Sequence, residues 1–437
     1  MLRKSAKPMG VMINPTQVKS TTPVRLCVGI DAGSTQTRVC IADIDDVKML
    51  MREGCEVDKL NLLNNNEYII PSTYAIVPDA REIKAQSPSL EDNYDSQIVL
   101  LKNSAVRPML SRERVIRGRR ITDTAGMVSR FMDSSTNKMD NPVFYTNVID
   151  GIGYAVMQKY SGRIPSEVDI HMSLSVRPKE RSSQCCEIMD SNFVGKYQFL
   201  WKDVDMKINI VETIYTTEPE AQIEGTSSMK FLEASVFDDS DTQNLSEKLA
   251  ESDSYIHIEG GGSSVGVEIV RDGNLIDACS ATFQLGGNYL QRVVRDRIRE
   301  VRGHNVSEDS VATAVRTCLL KNGRSMEDVS GIVADCKNDV ALEICERLHH
   351  DSLDLARGLT LRDMEFISLG GRLFSTDEAG NSIAQYFEKY VQQISPNTEV
   401  ITLKDNYIPQ GNVIIMAGVL AESIEDFGED EEEISAE

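Results

Sequence analysis

The sequence is most informative first in what it lacks. No apolar run approaches the roughly 20 residues a membrane-spanning helix requires. Cysteine is scarce and scattered: nine residues in 437, single apart from the adjacent Cys185 and Cys186, with no CxxC pair. The five histidines form no metal-ligand spacing with them, so a zinc module or a thioredoxin-type motif is excluded. Buried, reduced thiols are the expectation. The phosphate loop GxxxxGK followed by Ser or Thr is absent, and so is GxGxxG, which disfavours a P-loop or a Rossmann site. Positive charge is also short. The formal net charge of −22 opposes direct, nonspecific binding to nucleic acid.

What remains is an ordinary globular composition, 41 % hydrophobic and 26 % charged. A chain of 437 residues is too long for one common core and fits two domains. Residues 1–23 carry basic residues without a following apolar stretch of signal-peptide length, so they read as a flexible leader of a cytoplasmic protein. The end, EDFGEDEEEISAE, reads as a solvated acidic tail over 426–437, of the kind that also contacts basic partners. The basic stretch RPMLSRERVIRGRRITD reads as a solvated insert or a subunit-facing loop.

Strand patterns and glycine turns alternate with helical patterns. Arg25 to Ile44 predicts two strands around a tight polar turn, RLCVGI and TRVCIADI, with a third near YIIPSTYAIV where Pro71 sits at an edge or bend. Val148 to Tyr160 predicts a helix, followed by strands in VDIHMSLSV and INIVETIYT. YIHIEG is a strand, and VGVEIVRDG and NLIDACSA are two more, joined by Asp272-Gly273-Asn274, a hairpin turn. A helix through NYLQRVVRDRIREV opens a mostly helical stretch to about Arg357. MEFISLGG and VITLKD are strands, and NVIIMAGVLAESIEDF is a strand or loop entering the last helix. This is an α/β layered protein.

Three strand-terminal turns share one character: Asp31 to Arg38, Glu259 to Ser264, and Leu369 to Arg372. Small residues let backbone N–H groups approach phosphate oxygens closely, and hydroxyls add donors without bulk. An acid at the strand end would repel a phosphate directly, so it makes sense only where Mg²⁺ or its water shell intervenes. One glycine turn is common for conformational reasons alone. Two acid-glycine-hydroxyl hairpins far apart in one chain carry the argument.

The order of these elements resembles the superfamily of actin, the seventy-kilodalton heat-shock chaperones and sugar kinases, over about residues 24–425. VGIDAGSTQTRVCIAD resembles its first phosphate hairpin. The resemblance implies that Asp31 holds Mg²⁺ through water and that Gly33, Ser34 and Thr35 touch the phosphates. Arg38 falls where actin-like members carry a phosphate-contacting lysine. TTEPEAQIEG resembles the first connecting segment, which places Glu218 where the family orients the attacking water. IHIEGGGSSVGVEIV resembles the second phosphate hairpin, with Glu259 in place of the usual aspartate as the metal-linked acid, and Gly260, Gly261, Gly262, Ser263 and Ser264 at the phosphates. QLGGNYLQRVV and ISLGGRLFS resemble later nucleotide-contacting segments, which implies Gly286, Gly287, Gly370, Gly371 and Arg372. VIIMAGVLAES resembles the second connecting helix.

The fold class so implied is α/β, a two-domain actin-like (ribonuclease H-like) fold with the nucleotide in the interdomain cleft. Domain I is expected at 24–215, completed by a C-terminal helix at 413–425, and domain II at 216–412. The implied ligands are ATP or GTP with Mg²⁺. SEVDIHMSLSVRPKERSSQ is similar to a segment of plasmid-segregating bacterial actins of the ParM type. The leading expectation is therefore an ATPase that polymerises with itself to segregate plasmid or other DNA. A DNA-binding adaptor would link it to the DNA, with neither nucleic acid nor membrane contacted directly. The alternatives are a chaperone or reactivase ATPase, for which no peptide-binding β-domain and lid follow 425, and a small-molecule kinase, for which no acceptor base stands out by spacing.

Overall fold

A computed structural model of the chain describes residues 16–18, 23–50, 59–72, 74–77, 94–100, 113–117, 128–130, 137–161, 163–201, 204–215, 222–235, 240–303, 305–322, 325–354, 359–403 and 405–420. The chain divides into two compact units. One comprises Met1–Val176, Glu180–Val236 and Tyr407–Glu437; the other comprises Arg177–Lys179 and Phe237–Asn406.

The first unit is built on a ten-stranded mixed sheet. Its heart is the strand Val24–Ala32, which pairs antiparallel with Gln36–Asp43 and parallel with Glu167–Leu174. Glu167–Leu174 pairs in parallel in turn with Val204–Thr213. Leu26, Cys27, Val28 and Ile30 are all buried, as a strand covered on both faces must be, and this is why RLCVGI reads as an unbroken apolar run. Glu67–Pro71 closes the sheet at one edge and ends on Pro71, where a missing N–H costs no ladder bond.

Helix Pro142–Lys159 lies on this sheet through Val148, Ile149, Ile152 and Ala155, all fully buried. It begins well before the predicted Val148. Asn141 caps it by accepting the Val143 N–H, and proline at the first turn needs no partner for a donor it lacks.

The second unit repeats the pattern in a smaller sheet. Tyr255–Gly260 pairs antiparallel with Val265–Arg271 and parallel with Phe366–Gly370, which pairs in parallel with Glu399–Thr402. The predicted turn at Asp272-Gly273 has both residues at positive φ, 51° and 71°, as a two-residue hairpin matching the strand twist requires. The strand expected in NLIDACSA is shorter. Only Asn274–Leu275 pairs there, and a 3₁₀ turn at Asp277–Cys279 separates it from Ala281–Phe283.

Helix Gly287–Arg302 buries Leu290, Val294 and Ile298, one face at a spacing of four, and stops at Gly303 in the left-handed region. Within the predicted helical stretch a hairpin, Leu319–Asn322 with Ser325–Asp328, precedes helix Ser330–Arg347. Lys337, buried on that helix, is held by Asp377 at 2.7 Å and the Asn381 carbonyl at 2.8 Å.

The chain is helical over 408–420, so NVIIMAGVL is neither strand nor loop. Val413, Met416 and Ala417 are fully buried. A segment apolar on nearly every side carries no periodicity to separate helix from strand. This helix sits so close to helix Glu224–Glu233 that a Cβ on Gly411 would lie 1.7 Å from the Ser227 carbonyl oxygen. Gly418, on the same helix, has nothing within 4 Å of such a Cβ. Gly411→Ala is therefore expected to cost about 2–3 kcal/mol or more, because two backbones must separate. Gly418→Ala should be neutral or gain up to about 1 kcal/mol from helix propensity. Urea unfolding of the two variants measures the contrast, and equal effects would refute it.

Candidate functional site

In the first unit the Asp31–Arg38 turn is a tight hairpin tip. The Gly33 N–H donates to the Gln36 carbonyl at 3.0 Å, and Asp31 faces Arg38 across the ladder. Ser72, which the sequence reading missed, fixes the tip from the side. Its N–H donates to the Thr35 carbonyl at 3.1 Å, its hydroxyl donates to the Gly33 carbonyl at 2.6 Å, and its oxygen lies 3.0 Å from the Thr37 hydroxyl. Arg38 is 6 % exposed and donates to Glu67 at 3.2 Å, so its charge is balanced within the sheet. The Ser34 hydroxyl oxygen, at the hairpin tip, is buried and has no hydrogen-bond partner among the described residues, as is also true of Gln222 Oε1 and several other buried polar atoms. A buried hydroxyl without a partner costs about 1–3 kcal/mol. A phosphate oxygen is the kind of acceptor that would satisfy it.

Behind that hairpin lies a set of buried amides. The Gln222 side-chain amide donates to the Ser173 hydroxyl at 2.6 Å and the Leu174 carbonyl at 2.9 Å. Asn412 donates to the Ile30 carbonyl at 3.1 Å and accepts from the Ser227 hydroxyl at 2.9 Å. The backbone of 222–224 is also bridged to Val176, whose N–H donates to the Gln222 carbonyl at 3.0 Å and whose carbonyl accepts the Glu224 N–H at 3.0 Å. The strand end carrying Asp31 and the chain just after 216–221 are thus pinned to one frame. Glu218 itself falls within 216–221, outside the described residues, as do most of the basic 107–120 stretch and the acidic tail. No sequence signal singled out Gln222 or Asn412, because amides in apolar surroundings carry no motif.

In the second unit three of the predicted glycine segments meet. The Gly261 N–H donates to the Ser264 carbonyl at 2.8 Å, closing the loop between strands Tyr255–Gly260 and Val265–Arg271. The N–H groups of Gly287 and Asn288, at the start of helix Gly287–Arg302, donate to the Gly261 and Gly262 carbonyls at 3.0 and 2.7 Å. These donors are spent on the loop itself, so Gly286 and Gly287 hold the loop from behind. A Cβ on Gly286 would lie 2.4 Å from the Ser264 nitrogen. Gly371 adopts φ 87°, and a Cβ there would meet the Gly260 carbonyl oxygen at 2.3 Å and Glu259 Oε1 at 2.5 Å. A Cβ on Gly370 would lie 2.3 Å from Glu259 Oε2. The space beside the Gly370-Gly371 turn is therefore filled by the longer acid at 259. Arg372 opens the 3₁₀ turn Arg372–Phe374 that follows.

Glu259 is 6 % exposed and has a buried companion, His257. Two residues apart on one strand, they share a face of the sheet. Nε2 of His257 lies 3.3 Å from Glu259 Oε2, and Nδ1 lies 2.8 Å from the Ser368 hydroxyl. A carboxylate can only accept, so Nε2–H donates to Glu259 and Nδ1 accepts from Ser368. Burial pushes the imidazole down to about 4, opposed only in part by the Glu268 charge. Sequence reading missed His257; the period-2 partner of a strand-end acid was the available signal.

All eight described cysteines are buried and free, as expected of reduced thiols. No described helix is long and apolar enough to cross a membrane.

No family model and no curated protein sequence matches the chain. Solved structures do. The chain is similar to the archaeal actin homologue Ta0583, at 13 % identity and a TM-score of 0.59, covering 91 % of this chain and 99 % of that one. It is similar to Bacillus thuringiensis ParM solved with ATP, at 15 % identity and a TM-score of 0.55, with coverage of 91 % and 99 %. That ParM has also been solved with AMPPNP and with ADP. A non-polymerisable quadruple mutant of pCBH ParM is similar at 10 % identity and a TM-score of 0.58, again over 91 % and 99 %. The chain has the two-domain actin-like α/β fold that the sequence implied.

His257 generates a stability prediction. It is neutral in the folded protein down to about pH 4, whereas in the unfolded chain it takes up a proton below about pH 6.5. Between those values the unfolded state binds more protons, so stability falls as pH drops from about 6.5 to about 4. Denaturant unfolding across that window should show the decline, and His257→Gln should lack this component. An identical pH profile in the variant would refute the assignment.

Proposed function

We propose that this chain is a polymerising actin-like protein of the cytoplasm that binds and hydrolyses ATP with Mg²⁺, and that its filaments move plasmid or other DNA through a DNA-binding adaptor. The observation that carries the reading is the unpartnered Ser34 hydroxyl at the tip of the Asp31–Arg38 hairpin, in a chain with the actin-like fold. The residues present fit a nucleotide. Gly33, Ser34 and Thr35 offer a turn with small side chains to a phosphate, and the loop Gly260–Ser264 offers a second one. Asp31 and Glu259 supply the carboxylates that a Mg²⁺ with its water shell needs. Bound Mg²⁺ would neutralise charge on the phosphates. Arg38, opposite Asp31 on the ladder, has its charge balanced by Glu67, so its part at the phosphates rests on the resemblance alone.

Glu218 is the proposed water-orienting acid. Gln222 and the Val176 bridge hold the chain that follows it, which suits a residue whose task is positioning. ATP is favoured over GTP by the ATP-, AMPPNP- and ADP-bound structures of the B. thuringiensis protein. Filament formation is the natural output of such a cycle, because a nucleotide that favours one conformation is linked reciprocally to any assembly that favours the same one.

Two measurements test this. Glu218→Ala should keep nucleotide affinity and lose about 100-fold or more in hydrolysis; hydrolysis at the parental rate would leave Glu218 a mere helix-start residue. Pelleting and light scattering should show assembly that requires ATP and Mg²⁺, is opposed at low salt by the repulsion of −22 subunits, and persists longer in Glu218→Ala. A monodisperse monomer under all those conditions would overturn the filament reading and favour a kinase or chaperone ATPase.

A further inference from the structure

We propose that His349, His350 and Asp354 form a binding site for one transition-metal dication of the Zn²⁺ class, separate from the proposed Mg-nucleotide residues. The three lie where helix Ser330–Arg347 runs into a π-helical turn, Leu348–Leu353. In a regular α-helix, residues i and i+5 point to different sides, whereas i+3 and i+4 share a face with i. Here the helix widens by one residue. The Asp354 N–H donates to the His349 carbonyl at 3.0 Å, an i to i+5 bond. The wider turn brings Asp354 beside His349 as well as His350. Nδ1 of His349 is 3.4 Å from Asp354 Oδ1, and Nδ1 of His350 is 3.2 Å from Oδ2.

One ligand atom from each residue lies within 4.8 Å of the other two. Bonds of about 2.0–2.1 Å in a tetrahedral site place neighbouring ligand atoms about 3.3 Å apart, so modest side-chain rotation suffices. A second observation points the same way. Nδ1 of His349 is shielded from solvent on a side chain that is 42 % exposed, and it makes no hydrogen bond among the described residues, its one near polar group being the Asp354 carboxylate at 3.4 Å. The charge that could compete is engaged elsewhere: Arg347 donates to Asp351 at 2.8 Å.

The donor set chooses the ion. Two imidazole nitrogens and one carboxylate suit Zn²⁺, Co²⁺, Ni²⁺ or Cu²⁺, whereas Mg²⁺ and Ca²⁺ prefer oxygen ligands throughout. Water completes the shell. Bound metal clips the π turn to itself, which fixes the end of the helix whose Lys337 anchors the second unit's core.

The test uses the full chain in excess Mg²⁺. Co²⁺ titration should produce ligand-field absorption bands with one equivalent bound, and Zn²⁺ calorimetry should give micromolar or tighter affinity. H349Q/H350Q should abolish the bands, and D354N should weaken Zn²⁺ binding at least about ten-fold, with circular dichroism unchanged in both. His171→Gln, at a histidine paired with Glu212 in the other unit, should bind as the parent does. At a given Zn²⁺ concentration thermal midpoints should rise more in the parent than in D354N. Parental binding weaker than micromolar, or binding unaltered in H349Q/H350Q and D354N, would overturn the proposal.

Discussion

Close backbone approach in the second unit is the constraint on which the rest of its architecture depends. Gly260, Gly286, Gly370 and Gly371 each stand where an added Cβ would come within 2.7 Å of another atom, and at Gly286 and Gly371 the obstruction includes main chain. Loop Gly260–Ser264, the start of helix Gly287–Arg302 and the Gly370-Gly371 turn can interlock only because these positions lack side chains. Their hydrogen bonds then close on one another, through Gly287 and Asn288 to Gly261 and Gly262. Glu259 is part of this lock: its two carboxylate oxygens occupy the space beside both glycines of the 370–371 turn. A shorter acid at 259 would leave a gap there, and a side chain at 370 would collide with the acid now present. The three positions are energetically coupled and cannot be substituted as independent sites.

The first unit reaches a comparable rigidity by other means. Its hairpin tip is held by Ser72 and its strand ends by buried amides, Gln222 and Asn412, each with several partners. A network satisfied at most of its members in a low-dielectric interior is stiff, because breaking one bond strands another group. Within that frame the Ser34 hydroxyl, like Gln222 Oε1, keeps a buried oxygen with no partner among the described residues.

Much of the fold was legible because strands carry their own signature. RLCVGI, YIHIEG and MEFISLGG are apolar runs bounded by turn residues, and each is a strand ending close to its predicted position. The glycine segments were legible as a group, though their division of labour was not. What sequence did not show is that Gly286, Gly287, Gly370 and Gly371 also pack against the chain's own loop and acid. At 408–420 the residue pattern alone left strand or loop open, because burial on all sides erases the period that names an element, while the resemblance of VIIMAGVLAES to a connecting helix gave the helix that is there. Ser72, Gln222 and Asn412 were invisible because a polar side chain in a core is defined by distant partners, not by neighbours in sequence. The π turn at Leu348–Leu353 was beyond reach for a related reason: the register slip that brings His349 and His350 to one carboxylate is a backbone event with no residue code.

The bond from Asn412 to the Ile30 carbonyl spans 382 residues of sequence. On a ribosome adding about 5–20 residues per second, the Val24–Ala32 strand waits roughly 20–80 s for the amide that completes it. The whole of Phe237–Asn406 emerges during that interval. The unit encoded in the middle of the chain is therefore all on hand before the unit encoded at both ends can be completed.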